Sequence, residues 1–348
     1  MIELLRAVIA AHVVVALILV ATMFGHSAVL DLRARRRQPR IERATAALTR
    51  LLVAGGPIED AVAATAALPV SAQSEVLGAL AGNLRGEQRT PLIEVAERSG
   101  LVERARAWTR SRRPTVRLRG VRTLLRLGTA PPDLPSLLTD PWAPVRAEAT
   151  RLVVAHPDPA AVAELVGRLA DPAPEVAFAA KDALVRCGAV AEPAVSTRLS
   201  RSDLAPDVRA ALLGIAVHVA DPSHGGLLDQ HRPDPHPPVR IGVSRLAAAI
   251  GTREAVSALS ALLDDGDEQV RAAAVQGLGA VGHWPATPRI AGLLGDPAWV
   301  VRQAAGTALR RLGAPGSLYL RRALDDPDAF ARDMARQVLD LPDLRSVG

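Results

Sequence analysis

Residues 296–305 read DPAWVVRQAA, and residues 171–180 read DPAPEVAFAA. In each, an Asp-Pro turn leads into Val, and Ala follows four residues later. The pattern returns at intervals of 29 to 32 residues. Self-similarity at this period is typical of a solenoid whose units contact only their neighbours. The leading residues of the copies are Val116, Val145, Val176, Val208, Val239, Val270, Val301 and, in a weaker eighth copy, Ala331.

The apolar positions within a copy predict a helix. They recur at 0, 4, 8 and 11 residues from the leading residue, as in Val270, Ala274, Leu278 and Val281. This spacing follows one stripe of a helix and does not alternate as a strand does. A second, shorter apolar run precedes each turn, as over 256–263. Each copy is therefore predicted to be a helical hairpin, and the fold to be an all-α solenoid of stacked hairpins.

Two kinds of residue punctuate the repeat. Gly stands twelve residues after the leading position in five copies, where we expect a left-handed helix C-cap. Asp-Pro or Asp-Asp separates the two helices, and we expect Asp to cap the next helix and Pro to occupy its first turn. The glycines are Gly128, Gly188, Gly251, Gly282 and Gly313. The turns begin at Asp140, Asp171, Asp234, Asp264, Asp296 and Asp326.

The Asp-Pro-x-x-x-Val-Arg-x-x-Ala signature and the paired-helix period resemble HEAT-like repeats, particularly the short variety found in phycobilin lyases. The resemblance covers Pro114 to Leu341, although Ala177 replaces the Arg of one copy. It implies an α-solenoid over 114–341, followed by a tail over 342–348. Because such repeats serve scaffolds, adaptors and a few enzymes, the resemblance leaves the activity open.

The N-terminus carries a candidate membrane anchor. Residues 7–30 contain no Asp, Glu, Lys or Arg, and this length suffices to span a bilayer. Six arginines follow between Arg33 and Arg43, against only Arg6 before the segment, which predicts a cytoplasmic solenoid. A cleaved signal peptide is the rival, but residues 1–6 are not net positive and no small-x-small site precedes the arginines. We therefore predict a single-pass protein of the cell membrane with an anchor over 1–32.

Residues 33–113 are predicted to form a basic juxtamembrane segment and a divergent helical cap. Helical patterns cover 41–53, 58–67, 75–84 and 91–110, out of register with the repeats. Charge is uneven along the chain, since residues 31–130 carry 19 Arg against 9 acids and residues 131–348 carry 22 Arg and Lys against 26 acids. The positive charge is therefore concentrated in the N-terminal part of the chain.

One arginine-rich stretch is the candidate surface for a partner or a lipid, with Glu103 as the only acid nearby in sequence. Anionic head groups attract such cations, and an acidic patch on a protein would do so too. A solvated helix face is the plain alternative. Nucleic acid is disfavoured because only Trp108 interleaves and a tether makes a genomic target awkward. The stretch comprises Arg104, Arg106, Arg110, Arg112, Arg113, Arg117, Arg119, Arg122 and Arg126.

Two columns of the repeat are candidates for contact. The Arg after the leading residue is interpreted as a structural ladder to an Asp or carbonyl of a neighbouring turn, because a binding site needs differences between repeats. The alternative is a groove for acidic partners. The position six residues after the leading one does vary, as a binding surface or a solvated face would. That variable column includes Arg151, Asp182, Arg245, Gln276 and Gln337.

Catalytic or metal chemistry finds little support in the sequence. Three histidines lie among acids between Asp221 and His236, but their spacing matches no standard ligand pattern and the neighbouring prolines indicate a solvent-exposed turn. Cys187 occupies an apolar column and is predicted to be a buried thiol. No catalytic, cofactor or metal residue is assigned. The histidines are His224, His231 and His236.

These features predict a non-enzymatic, membrane-tethered scaffold or adaptor. Its solenoid surface would bind another protein, such as an integral membrane enzyme or complex. The first alternative, suggested by the resemblance alone, is a bilin-lyase-like enzyme with a solenoid pocket, although repeats rich in Ala, Leu and Val offer no convincing acid–base set. The second is binding of anionic lipid or nucleic acid through Arg104–Arg126.

Overall fold

A computed structural model describes residues 38–84 and 86–340 of the chain. Within those ranges the secondary structure is helical and no β-strand occurs, which confirms the all-α prediction. The chain divides into two compact units between Leu134 and Pro135.

The N-terminal unit is built of α-helices joined by short connections. A 3₁₀ turn over Gly86–Arg89 precedes its fourth helix. Its described α-helices are α1 over 38–54, α2 Ile58–Ala66, α3 Val70–Gly82, α4 Thr90–Arg98, α5 Leu101–Thr109 and α6 Pro114–Leu127.

The predicted single helix over 91–110 is wrong, because α4 and α5 are separate. Gly100 has a φ of 77°, in the left-handed region that ends a helix. A second glycine then brings α5 against α6. A Cβ on Gly120 would lie 2.8 Å from the carbonyl oxygen of Ala105, so a larger residue there would force the two helices apart.

The C-terminal unit consists of stacked helical hairpins. One layer holds the longer helices α8 Ala143–Ala155, α10 Pro174–Cys187, α12 Pro206–Ala216, α14 Pro237–Ile250, α16 Glu268–Val281, α18 Trp299–Arg311 and α20 Ala329–Leu339. The other holds the shorter helices α9 Pro159–Gly167, α11 Glu192–Leu199, α13 Gly225–His231, α15 Arg253–Ala261, α17 Thr287–Gly292 and α19 Ala314–Arg322. Helix α7, Leu134–Leu138, lies at the boundary between the units.

The core of the C-terminal unit follows the predicted stripe. In α16, Val270, Ala274 and Leu278 are fully buried, and the second apolar run contributes the buried Leu259 and Leu263. Val281, the fourth residue of the predicted stripe, is only half-buried. Equivalent residues of the other copies in this unit are mostly buried, but Leu339 of the last copy is 36% exposed. Because each stripe packs against the next long helix and against its own short helix, the repeats form one continuous apolar core of Ala, Leu and Val. The solenoid prediction is confirmed for the described residues.

The repeated glycines end the long helices as expected. Gly128, Gly251 and Gly282 adopt the left-handed conformation. Gly188 and Gly313 also have positive φ but a ψ near −135°. An L side chain would be strained in both conformations, which explains the preference for glycine at these helix ends.

The expected role of the Asp-Pro pairs is wrong. In Asp296-Pro297 neither residue caps α18, whose N-cap is Ala298. The Asp296 carboxylate instead accepts the N–H of Ala298 at 2.8 Å, which closes a turn before the helix. The prolines in first helical turns are different ones, such as Pro237 in α14. The same carboxylate also accepts hydrogen bonds from Arg271 of the preceding repeat.

Membrane insertion concerns a part of the chain outside the described residues. Over residues 38–84 and 86–340, every helix is too short or too polar to cross a bilayer. The predicted span over 7–30 and the predicted tail over 342–348 both lie outside these ranges, so they stay predictions.

Candidate functional site

The arginine after the leading residue joins consecutive repeats. In Arg271, Nε and Nη2 donate to the two carboxylate oxygens of Asp296, both at 2.9 Å, and Nη1 donates to the carbonyl oxygen of Asp265 at 2.9 Å. One guanidinium thus binds its own turn and the turn of the next repeat. The same arrangement links Arg146 with Asp171 and Arg240 with Asp265. We call these contacts the ladder.

The ladder pairs are largely removed from solvent. The side chain of Arg271 is 15% exposed and that of Asp296 is 5% exposed. Burial alone would raise the pKa of Asp296, but hydrogen bonds from Arg271 and from the Ala298 N–H outweigh it and hold that pKa below its usual value. The pKa of Asp171 and that of Asp265 are lowered for the same reasons. Arg209 and Asp234 form a further pair of the same kind. The structural interpretation of these arginines is confirmed.

The ladder is interrupted between α10 and α12. Ala177 stands where the other copies have Arg, and Asp203 in the following turn pairs instead with Arg201, whose Nε donates at 3.1 Å. The Asp203 side chain is 55% exposed, whereas the ladder carboxylates are buried. Helices α10 and α12 also contact each other far less than the flanking pairs of long helices do. Among the described residues, fewer helix–helix contacts and no buried ion pair therefore hold this joint, in contrast to the neighbouring joints.

The ladder ends differently at α18. The next copy begins one residue early, so the residue 25 positions after Arg302 is Pro327 and not Asp. Arg302 still donates to the carbonyl oxygen of Asp296 at 2.8 Å, but its guanidinium lies over the ring of Phe330, 4.4 Å from the centroid. A cation–π contact thus replaces the ion pair.

Aromatic side chains mark the surface of the C-terminal unit. Trp299 is 55% exposed and Phe330 is 54% exposed. Trp299 and Arg302 lie one turn apart on α18 and share a face of that helix, and Arg302 stacks on Phe330. We call these three residues the aromatic patch. The aromatic patch was not predicted from the sequence, although aromatic residues make up only 2% of the chain and their rarity was a usable signal.

The predicted arginine-rich stretch does not form one surface. Arg110 Nε lies 3.4 Å from Asp133, an acid that sequence distance had concealed. Arg117 is partly buried and donates to the carbonyl oxygens of Ser111 and Arg112. Arg106 is also partly buried. The expectation that Glu103 is the only acid near the stretch is therefore wrong. Arg104, Arg112 and Arg113 are exposed.

Three arginines of the stretch do converge. Arg119, Arg122 and Arg126 line a groove of about 420 Å³ between α3 and α6. Serine and threonine hydroxyls and the carboxylate of Glu75 complete its lining. At its floor the hydroxyls of Ser74 and Thr123 lie 3.3 Å apart. We call this feature the arginine groove.

The five candidate residues of the variable column are exposed. All five predicted members are solvent-accessible on the long helices. Arg151 pairs with Glu148 at 3.3 Å, and Asp182 pairs with Arg186 at 3.6 Å, both within their own helices. Such exposed pairs contribute little to stability, so the geometry is compatible with a contact surface and with a solvated face. The remaining members are Arg245, Gln276 and Gln337.

The sequence predicted that the three histidines lie in a solvent-exposed turn, and this prediction is wrong. His224 and His231 are each only 3% exposed. His231 Nε2 donates to the carbonyl oxygen of Leu199 at 3.1 Å, and burial lowers its pKa. His236 stays at the surface beside Asp234. Within the described residues, no three His, Cys, Asp or Glu side chains are grouped so as to hold a metal ion.

His224 forms a polar triplet that resembles catalytic machinery but is built differently. Its Nδ1 accepts the N–H of Asp221 at 3.2 Å, so Nε2 carries the proton and donates to Glu192 at 2.9 Å. Ser196 Oγ lies 3.0 Å from the same Nε2 and donates to Glu192 at 2.8 Å. A protonated Nε2 cannot accept the serine proton. The hydrogen bonds from His224 and Ser196 lower the pKa of Glu192 and link α11 to the turn before α13.

Cys187 is buried, as predicted, and burial raises the pKa of its thiol.

Comparison with known proteins identifies HEAT repeats in the C-terminal part of the chain. Residues 225–287 and 258–340 match the family of HEAT repeats. A stretch of 84 residues is 39% identical to the phycocyanin operon protein Z of Pseudanabaena tenuis, which amounts to 22% of this chain and 42% of that protein. The match thus spans less than half the length of this relative.

Several solved structures align with large parts of this chain. An engineered protein has 19% identity and a TM-score of 0.39 over 86% of this chain and 98% of its own. The complex of CpcE and CpcF of phycocyanin lyase from Nostoc sp. has 20% identity and a TM-score of 0.33 over 69% and 93%. A mutant of Kap121p has 12% identity and a TM-score of 0.48 over 90% and 42%. With TM-scores below 0.5 these likenesses carry no argument about function. The described C-terminal unit is an all-helical solenoid of HEAT-like repeats.

Proposed function

We propose that this protein is a membrane-tethered, non-enzymatic scaffold that binds a protein partner through the aromatic patch of its solenoid. The tether is the apolar segment over 7–30, and the arginines from Arg33 to Arg43 favour a cytoplasmic solenoid. Because such an anchor would hold the repeats beside the bilayer, the partner we propose is an integral membrane enzyme or complex.

The observation that carries the proposal is the position of the aromatic residues. The core is built of Ala, Leu and Val, yet Trp299 and Phe330 are more than half exposed. Trp and Arg are the residues most enriched where protein interfaces gain their binding energy. In Trp299, Arg302 and Phe330 both types meet on one surface, and stacking on Phe330 already orders Arg302.

The ladder supports the same division of roles. Its four arginines are held by carboxylates and carbonyl oxygens of their own chain. A partner could bind them only by breaking contacts that join the repeats. The aromatic patch begins where the ladder stops, at the first arginine of the series whose carboxylate partner is replaced by a ring.

A bilin-lyase-like enzyme is the second candidate. It is favoured by the match to phycocyanin operon protein Z and by a largely apolar groove of about 780 Å³ lined by Val166, Val190 and Pro193. The Ser196–His224–Glu192 triplet does not supply a base in this groove, since its histidine donates to Glu192. Addition of a linear tetrapyrrole to the purified protein would separate the candidates, because a scaffold should leave its absorption spectrum unchanged.

The scaffold proposal is tested by capture from native membranes. Full-length protein with a photo-crosslinking residue beside the patch, at position 303, is solubilised in mild detergent and irradiated. We expect one crosslinked partner, lost in the double variant Trp299→Ala, Phe330→Ala. The matched control is Phe178→Ala, which removes a ring that is 76% exposed on α10 and should preserve capture. Unchanged capture by the double variant, with normal helicity, would refute the patch as the binding surface.

A further inference from the structure

The arginine groove has the features of a built anion site. Arg119, Arg122 and Arg126 lie on one face of α6, at spacings of three and four residues. Their side chains meet α3 across a cavity of about 420 Å³, within the size range of small-ligand pockets. This inference is independent of the aromatic patch and of any protein partner.

Arg119 and Arg126 are held in position by neighbouring helices. The guanidinium of Arg119 lies 4.8 Å from the ring centroid of Trp108, which orders it by a cation–π contact. The stem of Arg126 runs across Gly78, where an added Cβ would lie 3.1 Å from Arg126 Cδ. The glycine thus leaves room for the arginine to lie against α3. Ordered donors bind an anion with a smaller loss of side-chain entropy.

The charge of the groove matches a dianion. Three arginines and one carboxylate, Glu75, line it, so the charged side chains sum to +2. Hydroxyl groups of Ser71, Ser74 and Thr115 lie in the same lining and add uncharged donors. A phosphate monoester carries nearly two negative charges at neutral pH and offers three acceptor oxygens. Arginine forks recognise such oxygens in pairs.

We propose that the arginine groove binds a phosphate monoester group. Two sources share this chemistry: a small soluble phosphate monoester and the head group of phosphatidic acid. A phosphodiester lipid, with one negative charge and fewer free oxygens, should bind more weakly at the same site.

The test uses full-length protein in an uncharged detergent. Glycerol 3-phosphate is titrated calorimetrically, and mixed micelles with phosphatidic acid or phosphatidylglycerol are titrated in parallel. We expect binding of at least one monoester source, more tightly than of phosphatidylglycerol. Binding of glycerol 3-phosphate identifies a soluble source, and binding of phosphatidic acid alone identifies a lipid source. Absence of binding by both monoesters overturns the proposal.

Two sets of variants localise the site. The triple variant Arg119→Gln, Arg122→Gln, Arg126→Gln should weaken monoester binding by at least about tenfold, since it removes the forked donors. The matched control Arg104→Gln, Arg112→Gln, Arg113→Gln loses the same charge from exposed positions outside the groove. An equal loss of affinity in both triple variants would show general charge attraction and would overturn the site.

A gain of affinity guards against misfolding as an explanation. Glu75→Gln removes the carboxylate that lines the groove. A monoester should then bind about fivefold more tightly, because two like charges about 4 Å apart in water repel each other by about 1 kcal/mol. A misfolded variant cannot give this result. Unchanged or weaker binding by Glu75→Gln, in a protein of normal helicity, contradicts the proposed position of the anion.

Discussion

The joints between α16 and α18 and between α10 and α12 are made from the same repeat but are held differently. At the first, Arg271 spans two turns and its carboxylate partner, Asp296, is 5% exposed. At the second, Ala177 cannot reach across, and Asp203 pairs with Arg201 near the surface. Apolar stripes are present at both joints. From this difference we infer that the stripe builds the repeat and that the pairing of the arginine with a buried turn carboxylate tightens the contact between repeats.

The turn at the weaker joint also differs from the others. The spacing from Val176 to Val208 is 32 residues, the longest in the series. Arg209 after this turn donates to the carbonyl oxygen of Leu204, five residues earlier, whereas Arg271 donates to one six residues earlier. The ladder is therefore interrupted for two reasons. No arginine is present at Ala177, and the turn that would supply the accepting carboxylate is displaced by one residue.

Removing a ladder arginine should give the largest effect. In Arg271→Ala, the buried Asp296 carboxylate loses its partner, and the free energy of unfolding should fall by about 2 to 3 kcal/mol. Urea unfolding followed by circular dichroism measures this. Arg245→Ala, at an exposed position of α14, is the control and should change stability by less than about 0.5 kcal/mol. Equal effects of the two substitutions would mean that the ladder does not tighten the joints.

Acidification should remove much of that difference. The folded-state pKa of Asp296 lies below its usual value of 3.8, although burial opposes the shift, because Arg271 and the Ala298 N–H bind the carboxylate. Such a group stabilises the fold above its unfolded pKa, and that stabilisation is lost as the pH falls through the folded pKa. The stability gap between wild type and Arg271→Ala should therefore be full at pH 6 and narrow below about pH 4. A constant gap down to pH 3 would point to lost packing rather than a lost ion pair.

Hydrogen exchange should distinguish the joints in the wild-type protein. Amides of α12 that face α10 should exchange roughly tenfold faster than equivalent amides of α18 that face α16, because local opening costs less where few contacts hold the helices. Mass spectrometry of peptides from α12 and α18 measures the rates. Equal protection in the two helices would show that the interruption of the ladder has no effect on local stability.

Restoring only the donor should have the smallest effect. Ala177→Arg places a guanidinium at the ladder position, but Asp203 is 55% exposed and already paired with Arg201. A solvent-exposed pair contributes little to stability. The free energy of unfolding, measured by thermal unfolding, should therefore change by less than about 0.5 kcal/mol. A gain above about 1 kcal/mol would show that the missing arginine alone weakens this joint.

The sequence predicted what depends on neighbours along the chain. The buried stripe of Val270, Ala274 and Leu278 and the cap at Gly282 follow from helical periodicity and local backbone geometry. The role of Asp296 was mistaken, because its decisive partner, Arg271, lies 25 residues away. No local pattern contains that pairing.

The candidate surfaces were harder to predict. Sequence spacing placed Glu103 beside the arginine-rich stretch, whereas the fold brings Asp133 to Arg110 and Glu75 into the arginine groove. The aromatic patch escaped notice because exposure depends on which helix faces are covered, and Trp299 could equally have filled a core position. The anchor over 7–30 lies outside the described residues and remains a prediction.

A double-mutant cycle on Arg271 and Asp296 tests most directly whether the repeated arginines join the repeats. Stability is measured by urea unfolding for Arg271→Ala, Asp296→Ala and the double variant. Because the two side chains share two hydrogen bonds of 2.9 Å, the double variant should be at least about 1 kcal/mol more stable than the sum of the single effects implies. Strictly additive losses would contradict the ladder as the device that tightens the joints of this solenoid.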